Sequence, residues 1–137
     1  MAHRRRFSAF VTKDSNPGSA IRHALQFARD FMAQHSFEPR LQVKLAILVE
    51  ELVTNALCHG GRSQDISLSM ELGAAESAVR VEIKDDGPPF DPLSAAPITE
   101  PDPMTGGGIG LAIVHAWAES PTYMWQSDQN TLALMLR

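Results

Sequence analysis

The sequence predicts an α+β domain of two layers, in which three helices cover one face of a mixed, mostly antiparallel sheet. The chain has 137 residues, enough for one hydrophobic core, so residues 1–137 are treated as a single domain. Two neighbouring segments carry apolar residues at helical spacing, and several others alternate apolar and polar residues as strands do. The predicted strands are grouped instead of alternating one by one with helices, which favours this architecture over a parallel sheet.

One strand and two helices are predicted in the first half of the chain. Apolar residues alternate with small or polar ones over Phe7–Val11, as in a strand. Asp14–Pro17 supplies helix-starting residues, and the amphipathic pattern that follows ends near Gln34–Ser36. A second helix is expected from Pro39 to the glycine pair Gly60–Gly61. Its apolar stripe consists of Leu45, Leu48, Val49, Leu52, Val53, Ala56 and Leu57.

Four strands and one helix are predicted in the second half, separated by a long loop. The elements are strands at Ile66–Leu72 and Val79–Ile83 around a turn at Gly73–Ser77, a helix at Ile109–Ala118 ended by Pro121, and strands near Tyr123–Trp125 and Thr131–Leu136. Residues 86–105 contain most of the prolines and show no periodic pattern. Loops of this length in compact domains are typically functional, so we expect a lid over about residues 86–107.

Composition excludes several classes of protein. No apolar run is long enough to span a bilayer, and the basic N-terminal residues lead into no signal segment, so we expect a cytoplasmic protein that does not bind membranes. Residues 1–60 carry eight basic and five acidic residues, and residues 61–137 carry four and eleven. So acidic a second half argues against direct nucleic-acid binding. The arginines at positions 4–6 are interpreted as solvated charge, with contact to an acidic partner as the alternative. Cys58 is the only cysteine, so an internal disulfide is impossible.

Three polar residues at helical spacing mark one edge of the second helix. Glu51, Asn55 and His59 follow one another about one turn apart, so they lie along one line beside the apolar stripe. Glu50 is rotated by about 100° from Glu51 and faces solvent, so Glu51 is the glutamate that shares a face with Asn55. For this helix alone, a plain solvated edge explains the spacing equally well.

Two further motifs lie at the end of a predicted strand and at the start of a predicted helix. Asp85 and Gly87 follow the strand, where a carboxylate can accept a hydrogen bond from an exocyclic amine and glycine leaves room for a flat ligand. An ordinary turn is the alternative interpretation. Gly106, Gly108 and Gly110 lead into a helix, whose free N–H groups favour phosphate, and a flexible hinge is the alternative there.

The second half of the chain lacks cations where they would be needed for phosphate binding. No lysine or arginine occurs between Lys84 and Arg137. Phosphates held by the glycine segment are therefore expected to need a divalent metal ion. Asn55 offers an oxygen ligand, and Mg²⁺ keeps waters and phosphate oxygens in its shell. His59 and Arg62 are both candidates for a further donor to the phosphates, and the sequence leaves the choice between them open.

In this order and spacing, the three motifs resemble the ATP-binding fold shared by histidine kinases, type II topoisomerases and Hsp90-type chaperones. The resemblance is strongest to the anti-sigma-factor serine/threonine kinases of bacterial partner-switching systems, and it extends over residues 7–137. It rests on E-x-x-x-N-A-x-x-H at residues 51–59, D-x-G-x-x-F-D-P at residues 85–92 and G-x-G-I-G-L at residues 106–111. A histidine-kinase-like ATPase fold is therefore implied.

The resemblance also implies a role for each matching residue. Glu51 would be the catalytic base, and Asn55 would ligate Mg²⁺. Asp85 would bind the amino group of adenine, and Gly87 would leave room for the base. Thr131 would support the adenine through a water molecule. The other nucleotide-binding residues would be His59, Gly106, Gly108, Gly110 and Leu111.

The function implied by the resemblance is that of an ATP- and Mg²⁺-dependent serine/threonine protein kinase. Such a protein phosphorylates a small anti-anti-sigma antagonist and otherwise sequesters a sigma factor or a similar regulator, commonly as a homodimer. Two alternatives remain open. One, motivated by the missing cation, is a nucleotide-binding module that sequesters its partner with little or no kinase activity. The other is the catalytic domain of a split histidine kinase.

Overall fold

Three helices and five strands make up the described part of the protein, a computed structural model that describes residues 3–58, 64–93 and 109–137. The elements are β1 (His3–Val11), α1 (Gly18–Gln34), α2 (Pro39–Cys58), β2 (Ile66–Ala75), β3 (Ala78–Asp85), α3 (Ile109–Trp117), β4 (Glu119–Gln126) and β5 (Gln129–Leu136). The strands form one sheet in the order β1-β2-β3-β5-β4, and all its neighbouring pairs are antiparallel. The predicted α+β fold is confirmed, with no parallel pair among the described strands.

The hydrophobic core lies between the helices and one face of the sheet. Alternate residues are buried along β2 from Ile66 to Leu72 and along β3 from Val79 to Ile83, because successive side chains of a strand point to opposite faces. Helix α2 packs against both α1 and α3. It buries Leu41, Leu45, Leu48, Val49, Leu52, Val53 and Leu57, which closely follow the predicted stripe. No helix in the described part of the chain is long and apolar enough to cross a membrane.

Strand β1 is longer than predicted and includes the basic residues near the N-terminus. It begins at His3 instead of Phe7 because its backbone pairs with β2 along its whole length. Arg4 and Arg6 therefore belong to the sheet, and each approaches Glu71 at 3.8 Å. Both arginine side chains are exposed, so these ion pairs contribute little to stability.

The turn between β2 and β3 is tighter than predicted. Strand β2 continues to Ala75, which pairs with Ala78, so only two residues form the turn. One of them, Ser77, has a φ of 55°, in the left-handed region that two-residue hairpin turns commonly use. The alternation of apolar side chains ends at Leu72, so the sequence pattern gave no sign that the pairing continues.

Pro121 does not terminate helix α3 as predicted. The helix ends at Trp117, and Pro121 lies within β4, between Glu119 and Thr122, where the pairing with β5 shifts register. Strand β4 is an edge of the sheet. An edge strand with an irregular register tolerates a residue that has no N–H group.

We predict that replacing Leu45 with alanine lowers the free energy of unfolding by about 2–5 kcal/mol, because it leaves a cavity in the core. Leu45 is fully buried in α2, whereas Val43 on the same helix is 59% exposed. The matched control Val43→Ala should change the free energy by no more than about 0.5 kcal/mol. Urea denaturation followed by circular dichroism measures both, and equal effects would contradict the placement of α2.

Candidate functional site

A cavity lies at the end of the sheet where β3 finishes and β5 begins. The space between its walls, including the part open to solvent, is about 480 Å³. Its lining comprises Leu52, Asn55, Ala56, Ile83, Asp85, Pro88, Phe90, Pro92, Tyr123, Asn130 and Leu132. The lining is thus mostly apolar, with a few polar groups that converge on it. Such a composition suits a flat, partly polar ring.

Asp85 supplies the carboxylate of this cavity. It is the last residue of β3, it is only 8% exposed, and it pairs with Asn130 of β5. Its Oδ1 accepts two hydrogen bonds, from the N–H of Gly87 at 2.9 Å and from Asn130 Nδ2 at 3.0 Å. Among the described residues none donates to Oδ2. One carboxylate oxygen is therefore fixed by the protein, and the other is available as an acceptor.

Burial raises the pKa of the Asp85 carboxyl above its ordinary value, because desolvation disfavours the charged form. The hydrogen bonds from Asn130 and Gly87 act in the opposite direction and lower this pKa, and the charge of Asp86 raises it slightly further. The two hydrogen bonds therefore partly offset the cost of keeping a carboxylate inside an apolar cavity.

Gly87 and Asp86 form the turn that follows β3. Gly87 is buried, and its N–H group closes a short turn onto the side chain of Asp85. Asp86 is exposed, and its Oδ1 accepts a hydrogen bond from the N–H of Ser67 at 2.8 Å. Asp86 therefore belongs to the turn, whereas Asp85 lines the cavity.

Thr131 does not line this cavity, which corrects the position predicted for it. It pairs with Lys84, and because neighbouring residues of a strand face opposite ways, it lies on the other face of the sheet from Asp85. Asn130 takes the place beside Asp85 instead. The sequence carries a signal for this position. Leu132, Leu134 and Leu136 are buried, and because alternate residues of a strand face the same way, Asn130 lies on the same face as these leucines.

Helix α2 contributes the polar edge that the sequence predicted. Asn55 lines the cavity, and Glu51 lies one turn before it, half-buried and outside the lining. Glu50 is exposed, as expected. Burial raises the pKa of the Glu51 carboxyl above its ordinary value, and the neighbouring charge of Glu50 raises it further. A carboxyl group with a raised pKa is a stronger base once it is ionised.

The remaining predicted residues lie partly outside the described chain. His59, Gly106, Gly108 and the lid beyond residue 93 fall in the undescribed segments. Gly110 and Leu111 lie in the first turn of α3, which begins at Ile109 as predicted.

The oxygen ligands on α2 suit a Mg²⁺ ion that is also coordinated by a bound phosphate ligand. The described residues contain no group of three or more His, Cys, Asp or Glu side chains that could hold a metal ion by themselves. Mg²⁺ commonly uses only one or two protein oxygens and completes its shell with waters and phosphates. Asn55 is placed to provide such an oxygen at the cavity, with the Glu51 carboxylate one turn away.

Comparison with known proteins agrees with this geometry. The chain matches the family described as the histidine kinase-like ATPase domain over residues 15–136. A search of curated proteins found no match. The family match includes all three helices, the cavity and the glycine segment, and it implies ATP binding. From its sequence and its fold, this chain belongs to the family of histidine kinase-like ATPase domains.

Proposed function

We propose that this domain is an ATP- and Mg²⁺-dependent serine/threonine protein kinase that acts as an anti-sigma regulator. The observation that carries the proposal is the position of Glu51, a half-buried carboxylate one helical turn from Asn55 at the cavity. A carboxylate at this point can accept the proton of a substrate hydroxyl.

The cavity would hold the adenine base. Its apolar walls include Leu52, Ile83 and Phe90, which offer flat or aliphatic surfaces to a ring. The exocyclic amine would donate a hydrogen bond to Oδ2 of Asp85, the oxygen that no described residue uses. A base with a carbonyl group at the same position would place an acceptor against this acceptor, so adenine fits whereas hypoxanthine and guanine do not.

The phosphates would extend from the base towards α2 and α3. Helix α3 begins at Ile109, directly after the glycine segment, and the free N–H groups at a helix start favour phosphate. Asn55 would hold Mg²⁺ together with phosphate oxygens. The ion would neutralise the phosphate charge, because residues 85–136 contain no lysine or arginine that could do so.

The proposed reaction transfers the γ-phosphoryl group to a serine or threonine hydroxyl. The hydroxyl oxygen forms a bond to the γ-phosphorus while the bond to the β,γ-bridging oxygen breaks, and ADP leaves. Glu51 takes the hydroxyl proton as this happens. Its raised pKa suits the role, because a base is most effective when its pKa approaches the working pH.

The proposed substrate is a small anti-anti-sigma antagonist, and the proposed sequestered target is a sigma factor or a similar regulator. These partners and a homodimeric state come from the sequence resemblance, as does the cytoplasmic location of such a switch. The acidic balance of residues 61–137 supports protein partners in preference to direct nucleic-acid binding.

A second candidate function is sequestration without phosphorylation, and the stretch without lysine or arginine from residue 85 to residue 136 favours it. Incubating the purified chain with γ-labelled ATP and its antagonist separates the candidates. Acid-stable label on a serine or threonine supports the kinase. Unlabelled antagonist bound to the chain supports the sequestering module, and acid-labile label on a partner histidine supports a split histidine kinase.

Replacing Asp85 with asparagine is expected to weaken ATP binding by about tenfold or more, because an amide donor replaces the acceptor that faces the adenine amine. The free energy of unfolding should not fall, since the variant removes a desolvated charge and keeps an oxygen for the N–H of Gly87. Calorimetric titration with ATP and with ITP measures the effect, and the preference should shift towards ITP, whose base carries a carbonyl.

The control for this variant is Asp86→Asn, the same change at the exposed neighbour. It should bind ATP as the wild-type chain does. An Asp85→Asn chain that kept wild-type affinity for ATP would show that Asp85 does not contact the base.

Replacing Glu51 with glutamine is expected to reduce phosphotransfer by about 10²–10⁴-fold, because the amide cannot accept the hydroxyl proton. ATP affinity should remain unchanged, and Glu50→Gln, which alters an exposed residue and keeps the Glu51 carboxylate, should change the rate far less than Glu51→Gln does. The wild-type rate should also fall as the pH is lowered through the raised pKa of Glu51. Single-turnover assays with labelled ATP measure these rates, and a wild-type rate in Glu51→Gln would exclude Glu51 as the base.

A further inference from the structure

The side-chain amide of Asn130 uses every hydrogen-bonding position that it has. Its Nδ2 donates to Asp85 Oδ1 and to the carbonyl oxygen of Pro88, both at 3.0 Å. Its Oδ1 accepts hydrogen bonds from the N–H of Phe90 at 2.9 Å and from the hydroxyl of Tyr123. An amide has two donor hydrogens and two acceptor lone pairs, so the group is fully satisfied although it is 6% exposed.

We propose that Asn130 is the positioning residue of the base site. Its amide leaves a single oxygen of Asp85 for the nucleotide and holds residues 87–90 against the sheet. The inference rests on the proposed binding of adenine nucleotides. It does not require kinase activity, so binding alone can test it.

The network fixes the orientation of the amide and therefore that of the carboxylate. Turning the Asn130 side chain over would place its oxygen against two acceptors and its NH₂ against the N–H of Phe90, so only one orientation is compatible with the surroundings. In that orientation Asp85 Oδ1 is occupied by two donors. A ligand then meets Oδ2, which accepts only, and this selects an amino group over a carbonyl at the edge of the base.

The same amide shapes one wall of the cavity. Pro88 and Phe90 both line it, and the backbone of each is bonded to Asn130. The carbonyl oxygen of Gly87 lies 3.4 Å from the same Nδ2. The orientation of Asp85 and the position of this wall therefore depend on one side chain. Neither serine nor aspartate can replace it, because the position needs two donors and two acceptors at once.

The electrostatic surroundings make the amide harder to replace by an acid. Besides Asp85, the titratable groups here are Asp86, whose charge acts on Asp85, Asp91, whose charge acts on Tyr123, and the neutral phenol of Tyr123. All of them are acidic, and burial raises the pKa of the phenol as it does that of Asp85. A second carboxylate at position 130 would thus have to keep a proton to remain beside the first.

The decisive variant is Asn130→Asp, with affinity for ATP measured by calorimetry between about pH 5 and about pH 8.5. At low pH a proton shared by the two carboxyl groups restores the hydrogen bond to Asp85 Oδ1, so the variant should bind ATP. As the pH rises and the shared proton is lost, affinity should fall by about tenfold or more. The wild-type chain should show the opposite slope, losing affinity only as acid protonates Asp85.

The control is Gln129→Glu, which adds the same charge at an exposed neighbour. It should follow the wild-type pH profile. If Asn130→Asp also followed the wild-type profile, the proposed role would be overturned, because the hydrogen bond from position 130 to Asp85 Oδ1 would then not matter for binding.

A second variant keeps the proposal testable if Asn130→Asp does not fold. Asn130→Ser should bind ATP about tenfold more weakly and discriminate less between ATP and ITP, because its hydroxyl can satisfy only part of the network. Undiminished discrimination in Asn130→Ser would overturn the proposal. If the wild-type chain bound neither nucleotide, both this inference and the proposed function would fail. Nucleotide binding without phosphotransfer would support this inference and exclude the kinase.

Discussion

The hydrogen bond between buried Asp85 and Asn130 is the interaction on which the candidate site depends. The two residues are 45 positions apart, and only the pairing of β3 with β5 brings them together. The loop after β3, helix α3 and strand β4 all lie between them in the chain. The cavity therefore cannot form locally. It requires the pairing of β3 with β5, which couples the integrity of the candidate site to the fold of the sheet.

The two carboxylates with raised pKa values, Asp85 and Glu51, are both held in partly apolar surroundings. In each case desolvation is the largest cause, and it acts against stability when the group is ionised. Groups of this kind are common at functional sites, where a protein gives up some stability for chemistry. At Asp85 the cost is partly offset by hydrogen bonds from Asn130 and Gly87, so this carboxylate suits recognition. Glu51, beside Glu50 on the edge of α2, suits proton transfer.

Much of this could be predicted from the sequence, because local periodicity reports burial directly. The stripe of α2 and the different exposure of Glu50 and Glu51 follow from helix geometry, and both are observed. Features that depend on strand pairing were not predictable in the same way, such as the extension of β1 to His3. For the last strand, the resemblance pointed to Thr131. The alternation of buried leucines along β5 instead places Asn130 on the inner face of the sheet.

The central claim is that Oδ2 of Asp85 accepts a hydrogen bond from the exocyclic amine of adenine. The most direct test compares the dissociation constants of ATP and of purine riboside triphosphate, which lacks only that amine. ATP should bind about tenfold or more tightly, as expected for a lost hydrogen bond to a charged group, and the difference should vanish in Asp85→Asn. Equal affinity of the wild-type chain for the two nucleotides would contradict the account.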